Sequence, residues 1–145
     1  MSKTRTITAT YDGVTFKRKT HRNYSHVIIG RLDVEKLVRC EREFAEKNLR
    51  SNWGFYTEVA NGTHRNIETM SQAQLDEANH VASLGIDGAA KYRGDQAETR
   101  ARNRAAKGWE PLAWAGRPDL AAKQVDEWKK SIHCFGQVLA IHVDA

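Results

Sequence analysis

Along the first twenty residues, Thr6, Thr8 and Thr10 alternate with Ile7, Ala9 and Tyr11. Asp12-Gly13 follows, and Val14 and Phe16 then alternate with Thr15, Lys17 and Lys19. Period-two alternation on both sides of an Asp-Gly pair predicts a β-hairpin. A two-residue turn pairs Tyr11 with Val14 and Ala9 with Phe16, leaving one apolar face and one face of threonine and lysine. Residues 24–30, Tyr-Ser-His-Val-Ile-Ile-Gly, make an unbroken apolar run rich in β-branched side chains and predict a central strand. With the hairpin this gives a three-stranded antiparallel meander. At the other end, Leu139, Ile141 and Val143 alternate with Val138, Ala140 and His142, predicting a last strand that closes onto the meander.

Between these ends the period changes to that of a helix. After Asp33, a suitable N-cap, Val34, Leu37, Val38, Phe44, Ala45 and Leu49 recur at helical spacing with charges between them. Phe55 and Val59 continue the same face, so one long helix is expected, kinked near Gly54 and ending at Asn61-Gly62. The rival is a hairpin pairing residues 55–60 with 63–68. Ser71-x-x-Gln74 is a capping-box pattern that opens a helix through Leu75, Ala78, Val81 and Ala82 to Gly85. From 88 to 107, Ala90, Ala97, Ala101 and Ala105 share one helical face, with Arg93, Arg100, Arg104 and Lys107 on an adjacent one. Pro118 suits the first turn of a final helix with Ala121, Val125, Trp128 and Ile132 on its inner stripe. Trp109, between Gly108 and Pro111, reads as an exposed loop residue. The expectation is a single α+β domain over residues 1–145. Its antiparallel sheet has about four strands, three N-terminal and one C-terminal, with several helices on one face.

The chain has 145 residues, 40% of them hydrophobic, enough for one ordinary core. Its formal net charge is +5, from 23 basic and 18 acidic residues. That surplus suits a nucleic-acid partner, and it also serves solubility. Cys40 and Cys134 make neither a disulfide framework nor a zinc quartet. No apolar h-region opens the chain and no apolar run approaches a membrane span, so a soluble, cytoplasmic protein is expected.

Candidate chemistry is sparse. The histidines, His21, His26, His64, His80, His133 and His142, include no i, i+4 pair with a flanking glutamate, so no metal site is expected. His133-Cys134 is a nucleophile-like neighbour pair, but adjacent side chains point in different directions. His26 and His142 fall on the two strands expected to be central, where a structural role outweighs an acid-base pair. Phosphate loops, nucleophile elbows and acidic Mg²⁺ clusters are missing from the sequence, and no cofactor or catalytic residue is expected.

Two basic groupings remain. Arg18, Lys19, His21 and Arg22 lie on a strand connection, and Lys91, Arg93, Arg100, Arg102, Arg104 and Lys107 lie on or near one helix. Such groups neutralise phosphates without reading sequence. The plainer reading is a solvated face, because Asp95, Glu98 and the acids of 41–46 balance part of the charge. Trp109 joins them as a candidate stacking or anchor residue.

Asn-Tyr-Ser-His-Val-Ile-Ile-Gly-Arg at 23–31, the long charged helix, and Trp-Ala-Gly-Arg-Pro-Asp-Leu-Ala at 114–121 resemble small accessory proteins encoded by bacteriophages. The resemblance implies nucleic-acid handling or the blocking of a host factor, in a bacterial cytoplasm. The expected partner is therefore nucleic acid or a nucleic-acid-bound host complex, met through Arg18, Lys19, Arg22, Arg93, Arg100, Arg104, Lys107 and Trp109. The alternative is a protein that inhibits a host defence or transcription factor through aromatic and sheet-edge contacts. An exposed edge strand also leaves room for a homo-oligomer.

Overall fold

Every side chain of the strand at His26–Leu32 except Arg31 is buried, and that burial explains the architecture around it. The computed structural model describes residues 3–131 and 133–145, so Ile132, expected on the last helix, lies outside the described residues. In chain order these form β1 (Arg5–Tyr11), β2 (Val14–Thr20), β3 (His26–Leu32), α1 (Val34–Ser51), α2 (Trp53–Ala60) and a 3₁₀ turn at Ile67–Thr69. There follow α3 (Gln72–Ser83), α4 (Gly85–Ala105), β4 (Trp109–Ala115), α5 (Pro118–Lys129) and β5 (Phe135–His142). The fold is α+β, with two antiparallel sheets. Contacts divide it into two compact units, one of residues up to 37 together with 103–145, the other of residues 38–102.

In the first unit β1 and β2 form the expected hairpin, with Ala9 opposite Phe16 and Tyr11 opposite Val14. Gly13, and Asp12 with it, take the left-handed conformation that such a turn demands. The expected meander does not form. β3 takes β4 on one edge and β5 on the other, and a strand has only two edges, so none is left for β2. The hairpin instead lays Ala9 and Phe16 on Val27, Ile29 and Trp109 of the three-stranded sheet. On the sheet's other face, Ala121 of α5 packs with Ile28, Ala115 and Val138. Layers on both faces account for a strand that is apolar without alternation.

The sequence reading lacked β4. Its Pro111 has no N–H to donate, and the register shifts there: Ile28 faces Ala113 but Ile29 faces Pro111, so Leu112 bulges out of the ladder. A proline within a run argues against a strand, and only this edge position with its bulge accommodates it. Trp109 accordingly sits in β4 with 9% of its surface exposed, not in an exposed loop.

The second unit is helical. α1 and α2 are separated at Asn52, two residues before Gly54, and α2 ends at Asn61-Gly62 as expected, with Gly62 left-handed. The rival hairpin is absent. Ser71 Oγ accepts from the Gln74 N–H and Gln74 Oε1 accepts from the Ser71 N–H, the reciprocal capping box. Leu49, Val81, Ala89 and Ala90 form the core, with Trp53, Tyr56 and Tyr92 against it. At Gly94 an added Cβ would lie 2.8 Å from Glu46 Oε1 and 3.1 Å from Arg42 Nη2.

Candidate nucleic-acid interface

Charge is not spread evenly along this fold. Six basic residues, Lys3, Arg5, Lys17, Arg18, Lys19 and Arg22, precede residue 25 against one acid, Asp12, a surplus of five that equals the formal net charge of the whole chain, +5. All six belong to the hairpin and its flanks, and all are exposed. Alternation along the hairpin aligns Thr6 with Lys19, Thr8 with Lys17 and Thr10 with Thr15 on the face turned away from the apolar cluster. Thr10 and Thr15 hydroxyls meet at 3.2 Å. Thr8 Oγ1 donates to Asp144 Oδ2 at 2.8 Å, so one carboxylate stands at this edge.

The remaining cations gather where the hairpin leads into β3. Arg5 Nη2 donates to Asn23 Oδ1 at 2.6 Å. The Arg18 guanidinium lies 4.9 Å from the centroid of the Tyr24 ring, which is itself 6.2 Å from that of Trp114. The backbone N–H of Arg22 donates to Thr20 Oγ1 at 3.0 Å, which fixes the turn that projects its side chain. Among the described residues none of the six cations pairs with a carboxylate.

The basic helix is different. On α4, Lys91 pairs with Asp95, Arg93 with Glu77, and Arg102 with Glu98. Arg104 grips Glu110 with Nε and Nη2, both at 3.2 Å. Arg93 also lies over the rings of Tyr56 and Tyr92. Arg100 is the α4 cation without such a partner among the described residues. Lys107 follows the end of the helix, in the exposed turn before β4. Thus Arg18, Lys19 and Arg22 fall in one place, Arg93 and Arg104 are engaged by carboxylates, and Arg100 and Lys107 are not among the described residues, while Trp109 stacks edge-on with Tyr11 at 5.2 Å. Lys3, Arg5 and Lys17 belong to the surface but did not stand out from the sequence as a grouping. A running tally of charge over the first 25 positions is the signal that finds them.

The histidine and cysteine candidates separate. His133 is exposed, its ring 5.4 Å from Trp128, whereas Cys134 is buried. His26 and His142 meet directly, as register partners with ring centroids 4.4 Å apart. Burial, and then the neighbouring His142, hold the His26 pKa below the ordinary histidine value. In the helical unit, a groove of about 480 Å³ is lined by Phe44, Phe55, Tyr56, Arg93, Ala97 and Arg100 among others. Phe44 at its lip is 69% exposed. No described helix is long and apolar enough to cross a membrane. No family model, curated protein or solved structure matches the chain.

Proposed function

We propose that this is a non-enzymatic accessory protein, of the kind bacteriophages encode, that binds nucleic acid without sequence preference through its N-terminal hairpin. The observation that carries the reading is the concentration of the chain's charge surplus on one hairpin and its flanks, whose cations have no carboxylate partners among the described residues. Unpaired cations release counterions from phosphates on binding, whereas cations already paired, like those of α4, must first break a contact. A strand of seven residues spans about 20 Å at roughly 3.3 Å per residue. A two-stranded ribbon of this kind fits a duplex major groove about 12 Å wide. Its outer face offers threonine hydroxyls and lysine ammoniums, which contact phosphate, and lacks the Arg, Asn and Gln pairs that read bases.

The test is fluorescence anisotropy with a labelled DNA duplex and an RNA of the same length, at several salt concentrations. Changing Lys17, Lys19 and Arg22 together to glutamine is expected to weaken binding equally for all sequences and to flatten the log K against log salt slope by about 3. Arg100→Gln is expected to leave both unchanged. A triple variant that keeps affinity and slope would refute the reading. A second reading, a host-protein inhibitor, is favoured by the exposed Phe44 at the lip of an aromatic groove with Arg100. Wild-type protein that binds neither nucleic acid at low salt, yet carries a stoichiometric protein partner lost on Phe44→Ala, would put this second reading first.

A further inference from the structure

Two imidazoles stand side by side where the three-stranded sheet ends. His26 opens β3, His142 closes β5, and the two are cross-strand partners with ring planes inclined by 43°. Their backbones are held from both sides: the Ser25 N–H donates to Ala115 O at 2.9 Å and the Val143 N–H donates to Ser25 O at 2.9 Å. The Ser25 hydroxyl lies 2.8 Å from His26 Nδ1 and 3.4 Å from Ala115 O. In the tautomer with the proton on Nδ1, the serine oxygen accepts the Nδ1–H of His26 and its own proton goes to Ala115 O. That tautomer leaves the lone pair of neutral His26 on Nε2. His142 is exposed and able to turn toward it.

We propose that His26 and His142 form a two-histidine site for a divalent transition metal of the zinc, nickel and copper class. A metal about 2.0–2.1 Å from each imidazole nitrogen, with an angle at the metal between about 90° and 110°, sets the ring centroids roughly 4.5–5 Å apart. The observed centroid separation, 4.4 Å, lies close to the lower end of that range. Imidazole ligands select this class of metal over Mg²⁺ and Ca²⁺, which prefer oxygen. Ser25 is a positioning residue, because its hydroxyl fixes the tautomer and the ring plane of His26. No cluster of three or more ligating side chains exists among the described residues. Water therefore completes the coordination, and the metal exchanges readily instead of being locked in as a structural ion. The site does not depend on the nucleic-acid reading.

The experiment titrates Ni²⁺ or Zn²⁺ into the untagged full chain, stripped with chelator, by calorimetry and by thermal unfolding. One metal per chain is expected to bind and to raise the unfolding temperature, while Mg²⁺ does neither. His142→Ala alters an exposed side chain, so the fold persists, and affinity is expected to fall about tenfold or more. Ser25→Ala is expected to cost about tenfold, with recovery in Ser25→Thr. His64→Ala and His80→Ala are expected to change nothing. Wild-type binding no tighter than that of His142→Ala, or binding that follows His64 or His80, overturns the proposal.

Discussion

Gly30 and Gly94 are both buried glycines, yet what surrounds them gives substitution opposite consequences. A Cβ on Gly30 would stand 2.7 Å from Leu112 Cδ1 and 2.7 Å from Phe135 Cδ1, in the layer between β3 and α5. The Phe135 ring is part of that packed cluster and has little room to retreat, so Gly30→Ala is expected to cost about 1–3 kcal/mol by overpacking. At Gly94 the clashing atoms are the ends of Glu46 and Arg42, flexible side chains that can turn outward. Alanine there gains about 1 kcal/mol of helix propensity and disturbs solvent-screened ion pairs that contribute little. Gly94→Ala should therefore stay within about 1 kcal/mol of the wild type. Urea unfolding of both variants checks the contrast, and equal destabilisation would contradict it.

Within the helical unit, ion pairs link α1 to α4. Arg42 Nη1 reaches Asp95 at 2.9 Å and Glu98 at 3.1 Å, and Arg50 reaches Asp87 at 2.9 Å. The Asp95 carboxyl is held below its ordinary pKa by hydrogen bonds from Arg42 and then Lys91, and that of Glu98 chiefly by the hydrogen bond from Arg102. Groups with depressed pKa values contribute stability that is present above their unfolded values and lost as pH falls through the folded ones. The stability difference between wild type and Asp95→Asn/Glu98→Gln should therefore be full at pH 6, begin to shrink as pH falls through about 4, and vanish only below the depressed folded values. High salt should shrink it at every pH, since the groups are exposed. Urea midpoints followed by circular dichroism across that range measure it, and a difference independent of pH would contradict the assignment. The elements themselves were legible where local chemistry is strong: the Asp-Gly turn, the Ser71/Gln74 box and the proline at the start of α5 all stand where the sequence puts them. β4 was not, because Pro111 and Gly108 are loop signals and the bulge that tolerates the proline depends on β3 lying beside it.

For the molecule as a whole, the position of the charge matters more than its amount. If three to six of the hairpin cations meet phosphate, log K for DNA should fall against log salt with a slope between about −3 and −5. A slope near zero would mean that the surface is merely solvated. The alternation of residues 5–20, the helical spacing of 34–49 and the apolar run at 26–29 each follow from side-chain order along the chain. They determined the α+β class, the hairpin with its basic outer face, and β3 as the strand others gather around. Tertiary structure decided what no local pattern encodes. It gave both edges of β3 to β4 and β5 and sent the hairpin to a separate sheet. It turned Trp109 inward and tied the α4 arginines to Glu77, Glu98 and Glu110, removing most of that helix from the list of open cations. It also set His26 beside His142, 116 positions apart in sequence. Side-chain periodicity fixes which face of an element is apolar, but which carboxylate or imidazole stands opposite depends on strand pairing and helix packing between distant segments.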